Sequence, residues 1–147
     1  MTETRLLIGG ERVPGTGDPL EVENPYSEET ISSVALPSDE QVDAAIASAR
    51  EAARVWAQTP AIERGELLHE VATRLRARTD ELAELMTKEG GKPLVENSDE
   101  VGWTAAAFEY YAEMGRNFAG RVIPPIEPTQ LSLVLKEPMG VVGCIVP

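Results

Sequence analysis

The run Gly140-Val141-Val142-Gly143-Cys144-Ile145-Val146 is apolar, rich in β-branched residues and free of charge. It reads as a strand buried on both faces, the kind found in parallel sheets. A parallel strand needs a neighbour reached through a crossover of a dozen or more residues, and only Pro147 follows. The run therefore predicts an α/β protein of which this chain is the opening part, with a second domain starting near residue 139.

Upstream, two extended pairs precede a set of helices. Arg5 to Ile8 and Glu11 to Val13 flank Gly9-Gly10, which supplies the positive φ angles of a tight hairpin turn. Those glycines lack the G-x-G-x-x-G spacing of a dinucleotide loop. Leu20 to Glu23 and Thr30 to Ala35 flank a turn at Asn24-Pro25-Tyr26-Ser27.

The apolar period then changes from two to 3.6. Ser38 and Gln41 form a capping box. Val42, Ala45, Ile46, Ala49, Ala52, Ala53 and Trp56 follow as one apolar stripe, with Trp56 expected in the core. Thr59 is read as the cap of a second helix with Pro60 at its first position. Leu67, Leu68, Val71 and Leu75 are its expected buried face. A third helix starts at Thr79 and ends at Gly90-Gly91. A fourth is expected behind a capping box of Asn97 and Glu100, turning Val101, Ala105, Phe108, Ala112, Gly115 and Ala119 inward. The four helices are placed at roughly 39–57, 60–78, 80–89 and 98–118. Pro124, Pro125 and Pro128 mark an extended connection, and Leu131 to Lys136 alternate as a strand with two different faces.

Composition narrows the functional classes. The net charge of −12, from 25 acidic and 13 basic residues, argues against nucleic acid or an anionic membrane as a partner. No apolar run approaches the ~20 residues of a membrane span. The N-terminus does not read as a signal peptide, and one cysteine rules out an internal disulfide framework. A cytoplasmic location is the expectation. Catalytic groups are scarce. His69 is the single histidine and reads as a helix-surface or boundary residue. Cys144 sits in the apolar run with no basic neighbour, the setting of an inert buried thiol. Arg74, Arg76 and Arg78 read as a solvated helix face rather than a phosphate site, and no clustered His, Cys and carboxylates suggest a metal centre.

The order of segments is more specific than any one of them. Ile8-Gly9-Gly10-Glu11, Val22-Glu23-Asn24-Pro25, Thr30-Ile31, the helix with Ala44-Ala45 and Trp56, and Glu63-Arg64-Gly65-Glu66-Leu67-Leu68 follow one another. Then come Glu89-Gly90-Gly91-Lys92-Pro93-Leu94, Tyr110-Tyr111-Ala112 and Glu137-Pro138-Met139-Gly140-Val141-Val142-Gly143. In this order the chain resembles the N-terminal part of an NAD(P)-dependent aldehyde dehydrogenase, with a flavour of the betaine-aldehyde and semialdehyde branch.

The resemblance implies β-hairpins and four helices packed with the cofactor domain over residues 1–120. It implies a connection and a strand of the oligomerisation sheet over 121–138, and the first strand of a Rossmann-like cofactor domain over 139–147. It implies an oxidoreductase in which a cysteine thiolate attacks the aldehyde, hydride passes to NAD or NADP, and a glutamate-activated water releases the acid. The oxyanion donors and all those groups fall after Pro147 in the family's order, so the chain alone is expected to be inactive and to bind no cofactor. The full-length protein is expected to be a homodimer or homotetramer. Relatives bind K+ or Na+ through backbone carbonyls at the positions of Val22 and Glu23 and a carboxylate at Glu89, and hard oxygen donors suit such an ion. A helix-end carboxylate without a ligand is the competing reading of Glu89. Trp103 falls near the aldehyde entrance of relatives, with packing against a further domain as its alternative. A non-catalytic module that binds aldehyde dehydrogenase subunits or another partner is the second reading of the whole chain.

Overall fold

The computed structural model describes residues 5–146. The chain forms three small antiparallel hairpins and four helices. Strands β1 (Leu6–Ile8) and β2 (Glu11–Val13) pair through a turn in which Gly9 and Gly10 both have positive φ, as a primed two-residue turn requires. Strands β3 (Pro19–Glu23) and β4 (Thr30–Ala35) form the second hairpin.

Helix α1 (Asp39–Gln58) starts at the expected capping box. Gln41 N–H donates to Ser38 Oγ, and Ser38 N–H donates back to Gln41 Oε1. The same Oε1 also accepts from the N–H and hydroxyl of Thr16, both at 2.9 Å, while Nε2 donates to the Pro14 carbonyl at 2.9 Å. One side chain thus caps a helix and ties down a loop 25 residues upstream. Gln41→Ala is expected to cost about 1–2 kcal/mol, the sum of a lost cap and lost hydrogen bonds. Gln41→Glu, which keeps the acceptor but loses the donor to Pro14, should fall between the two in urea unfolding.

Helices α2 (Ala61–Ala77), α3 (Thr79–Gly90) and α4 (Leu94–Asn117) form the core, and α2 against α4 is the largest interface of the fold. Small residues set it. Gly65 and Ala72 on α2 and Ala105 and Ala112 on α4 are buried, with Ala83 on α3 and Val101 on α4 completing the core. Charged pairs flank the crossing. Arg76 holds Glu109 with two hydrogen bonds, and His69 Nε2 lies 2.8 Å from Glu113 Oε1. The hydrogen bonds from Arg76, more than its charge alone, hold the Glu109 carboxyl below the usual carboxylate range.

Several expectations need correction. Helix α2 begins at Ala61 with Pro60 as its cap, and Thr59 closes α1 by donating its hydroxyl to the Val55 carbonyl. The α2 face that packs is the one with Gly65 and Ala72, leaving Leu67 and Val71 exposed. Helix α4 starts at Leu94, directly after Pro93, so Asn97 lies inside its first turns and forms no cap. Proline's fixed φ and missing N–H suit it to that boundary. Ala119 lies beyond the helix and is exposed. Trp56 is not core: it is 46% exposed, and α1 has no buried residue. Its stripe is real, but its chief partner among the described residues is only the short strand β1.

The C-terminal region also differs from expectation. Strand β6 (Ser132–Val134) finds a partner within the chain, pairing antiparallel with β5 (Arg121–Ile123). Residues 135–146 form no strand and Cys144 is exposed rather than buried. A strand meant for the middle of a parallel sheet has no ladder to join without its neighbours. The Rossmann-like strand expected there is therefore not formed among the described residues.

Candidate functional site

Two places bring chemistry-bearing or apolar groups together. The first is the corner where β3 and α3 end. Val22 pairs with Ser32 and Glu23 with Thr30, so Ile31 drops out of the ladder and the strand kinks there. Asn24 then forms an Asx turn, its Oδ1 accepting from the Tyr26 N–H at 2.9 Å. The last turn of α3 arrives opposite. Gly91 closes α3 in the left-handed conformation at φ +73°, and a Cβ there would stand 2.8 Å from Pro25 Cγ. The turn after Glu89 therefore abuts the turn after Glu23.

The residues that the resemblance assigns to a monovalent cation flank this corner. Val22 is half-buried, while Glu23 and Glu89 are exposed. Among the described residues, no three His, Cys, Asp or Glu side chains are grouped to hold a metal ion. Trp103 stands apart from the corner. It projects from α4 at 70% exposure, on the side away from the buried Val101 and Ala105. Tyr110 and Tyr111, in edge-to-face contact with ring centroids 5.3 Å apart, are exposed further along the same helix.

One residue at the corner was missed as a structural centre. Asn97 is 1% exposed, and its Nδ2 donates to Thr87 Oγ1 at 2.8 Å and to the Lys92 carbonyl at 3.2 Å. Lys92 Nζ pairs with Glu100 beside it. The signal was present in the spacing Asn97, Val101, Ala105 and Ala112, which puts Asn97 on the buried face of α4 rather than at its cap.

The second place is an open apolar groove of about 660 Å³ on α1, lined by Ala49, Ala52, Ala53 and Trp56 and closed on one side by Gly140 to Val142. The glycine pair Gly9-Gly10 does not fit a dinucleotide, since it turns into strand β2 and not into a helix. Arg74, Arg76 and Arg78 are each engaged by a glutamate. No described helix is long and apolar enough to cross a membrane.

The family model described as the aldehyde dehydrogenase family matches residues 13–147. The chain belongs to the aldehyde dehydrogenase family. It is 41% identical to aminoaldehyde dehydrogenase 2 of Zea mays over 97% of its own length. It is 39% identical to the mitochondrial succinate-semialdehyde dehydrogenase of Arabidopsis thaliana over 100% of its length. It spans only 30% and 28% of those two relatives. Among solved structures, betaine aldehyde dehydrogenase of Staphylococcus aureus in complex with NAD+ superposes with a TM-score of 0.87 at 29% identity, covering 92% of this chain and 28% of that one. The hairpins and four helices are therefore the N-terminal portion of the aldehyde dehydrogenase fold.

Proposed function

We propose that this chain is the N-terminal portion of an enzyme that oxidises an aldehyde to a carboxylic acid with NAD or NADP. The observation that carries the reading is the superposition of 92% of the chain on an aldehyde dehydrogenase crystallised with NAD+. Relatives named for aminoaldehydes, betaine aldehyde and succinate semialdehyde support small polar aldehydes as the substrate class. Bound nicotinamide would accept the hydride. What these residues contribute is a scaffold. In this reading residues 1–120 pack with the cofactor domain and 121–138 supply the oligomerisation sheet of a homodimer or homotetramer. Residues 139–147 become the first strand of the cofactor sheet once neighbours flank it. Trp103, exposed on α4, lines the aldehyde entrance. Val22 and Glu23 carbonyls with the Glu89 carboxylate hold K+ or Na+ beside the Gly91 turn. A cytoplasmic location completes the proposal.

The test is an assay of the purified chain with betaine aldehyde, an aminoaldehyde and succinate semialdehyde, each with NAD and NADP. No turnover is expected from the chain alone, and activity is expected once the downstream reading frame is joined to it. Turnover by the chain alone that Cys144→Ser abolishes would overturn the reading. The open groove on α1 favours one second reading, a module that docks other polypeptides. A genuine stop codon after Pro147, with stable production of the short chain, would select it.

A further inference from the structure

We infer that helix α1 opens as a unit of its own and that Arg64 is the latch that holds it closed. Helix α1 runs for 20 residues, none of them buried. Among the described residues it packs appreciably only on β1, whereas α2 and α3 both pack on α4. A helix of that length with an uncovered apolar face is marginal by itself. What holds it in place is polar and sits at its two ends. Gln41 ties the first turn to Thr16 and Pro14. At the other end Arg64, near the start of α2, donates from Nη1 to the Thr59 carbonyl at 2.5 Å and to the Trp56 carbonyl at 3.5 Å.

Those two carbonyls stand at the end of α1, where the last C=O groups of a helix lack partners within it and the dipole is negative. No basic residue of α1 itself lies in that last turn. The next helix supplies the cation instead. Between α1 and α2 lies only Thr59-Pro60, both extended, with ψ of 128° and 146°. Proline keeps the residue before it extended, so the two helices cannot wind into one across this joint, and the Arg64 bridge spans it. The closed position also brings Ala49, Ala53 and Trp56 up to Gly140, Val141 and Val142. The apolar groove therefore exists only while α1 is closed, and the latch governs how often it is present. This device goes beyond the aldehyde dehydrogenase reading and does not depend on it.

Amide hydrogen exchange of the full 147-residue chain, read by mass spectrometry, tests the latch. In the wild type, amides of 43–58 should exchange through an opening more frequent than the one that exposes Ala72, Ala105 and Ala112. Arg64→Met keeps a good helix former with an apolar stem but donates no hydrogen bond. It should speed exchange within α1 by about 10–100-fold, the equivalent of a lost hydrogen bond from a charged group. Exchange in α2, α3 and α4 should stay as in the wild type. Arg64→Lys, which keeps the charge on a compact ammonium, should restore part of the protection. A wild-type α1 protected as strongly as α4 overturns the separate opening, and that comparison needs no variant to fold. An Arg64→Met chain with unchanged exchange in α1 overturns the latch. One whose four helices all exchange faster by the same factor overturns it too, since Arg64 would then support the whole fold.

Discussion

Gly65→Val is expected to open the crossing of α2 and α4 and to remove about 3 kcal/mol of stability, the upper end of ordinary overpacking. Gly65 is buried where α2 passes close to α4, and a Cβ there would stand 3.1 Å from the Ala112 carbonyl oxygen. That oxygen belongs to the backbone of the opposing helix and cannot swing aside. A single methyl can be accommodated by a shift of a few tenths of an ångström. Alanine also gains about 1 kcal/mol of helix propensity over glycine, so Gly65→Ala should come out near neutral. Valine adds two further carbons at a stiff branch point and pushes the axes apart along the whole stripe from Gly115 to Ala105. For a domain stable by about 5–15 kcal/mol the loss is large. Urea unfolding followed by circular dichroism measures both variants. A valine variant as stable as the alanine one would show that the crossing is not tightly packed.

The tail gives the second large effect. Amides of residues 139–146 are expected to exchange with solvent almost as fast as in a free peptide. Those of Ala72, Ala105 and Ala112 should be protected close to the global limit. The tail makes no strand, and Ile145 is fully exposed. Gly140 to Val142 border the α1 groove, yet Val141 remains 45% exposed and Val142 68%. The tail is also an apolar β-prone run without Pro until residue 147, the composition that seeks other chains. Ending the chain at Glu137 should leave the helical signal unchanged, keep the β5–β6 hairpin and reduce self-association. Strong protection of Val141 to Val146 in a proven monomer would count against this account.

What was legible in the amino-acid order was mostly local. Gly9-Gly10 and the Ser38–Gln41 box describe bonds made within a few residues, and both stand where expected. Pairing of β5 with β6 was not legible, because Arg121 to Ile123 is too short to show a period and its partner lies beyond three prolines. Asn97 reads as a cap because an Asn three residues before a Glu is also a capping signature, but Pro93 has the stronger claim to the boundary. The stripe on α1 was read correctly as apolar, but periodicity cannot tell whether a face is covered. No spacing within one element relates Val22 to Glu89, which stand on different elements.

The way the helices find one another bears on how such a protein leaves the ribosome. Helices α2, α3 and α4 complete their mutual contacts within residues 61–117. Contacts this close along the chain form quickly, while synthesis adds only about 5–20 residues each second. The three-helix cluster can therefore settle while the polypeptide is still being made. The uncovered stripe of α1 then waits beside a finished cluster, as the surface on which later-emerging chain first lands. In this order of events the three-helix cluster folds without help, and chain made later can be shaped against it.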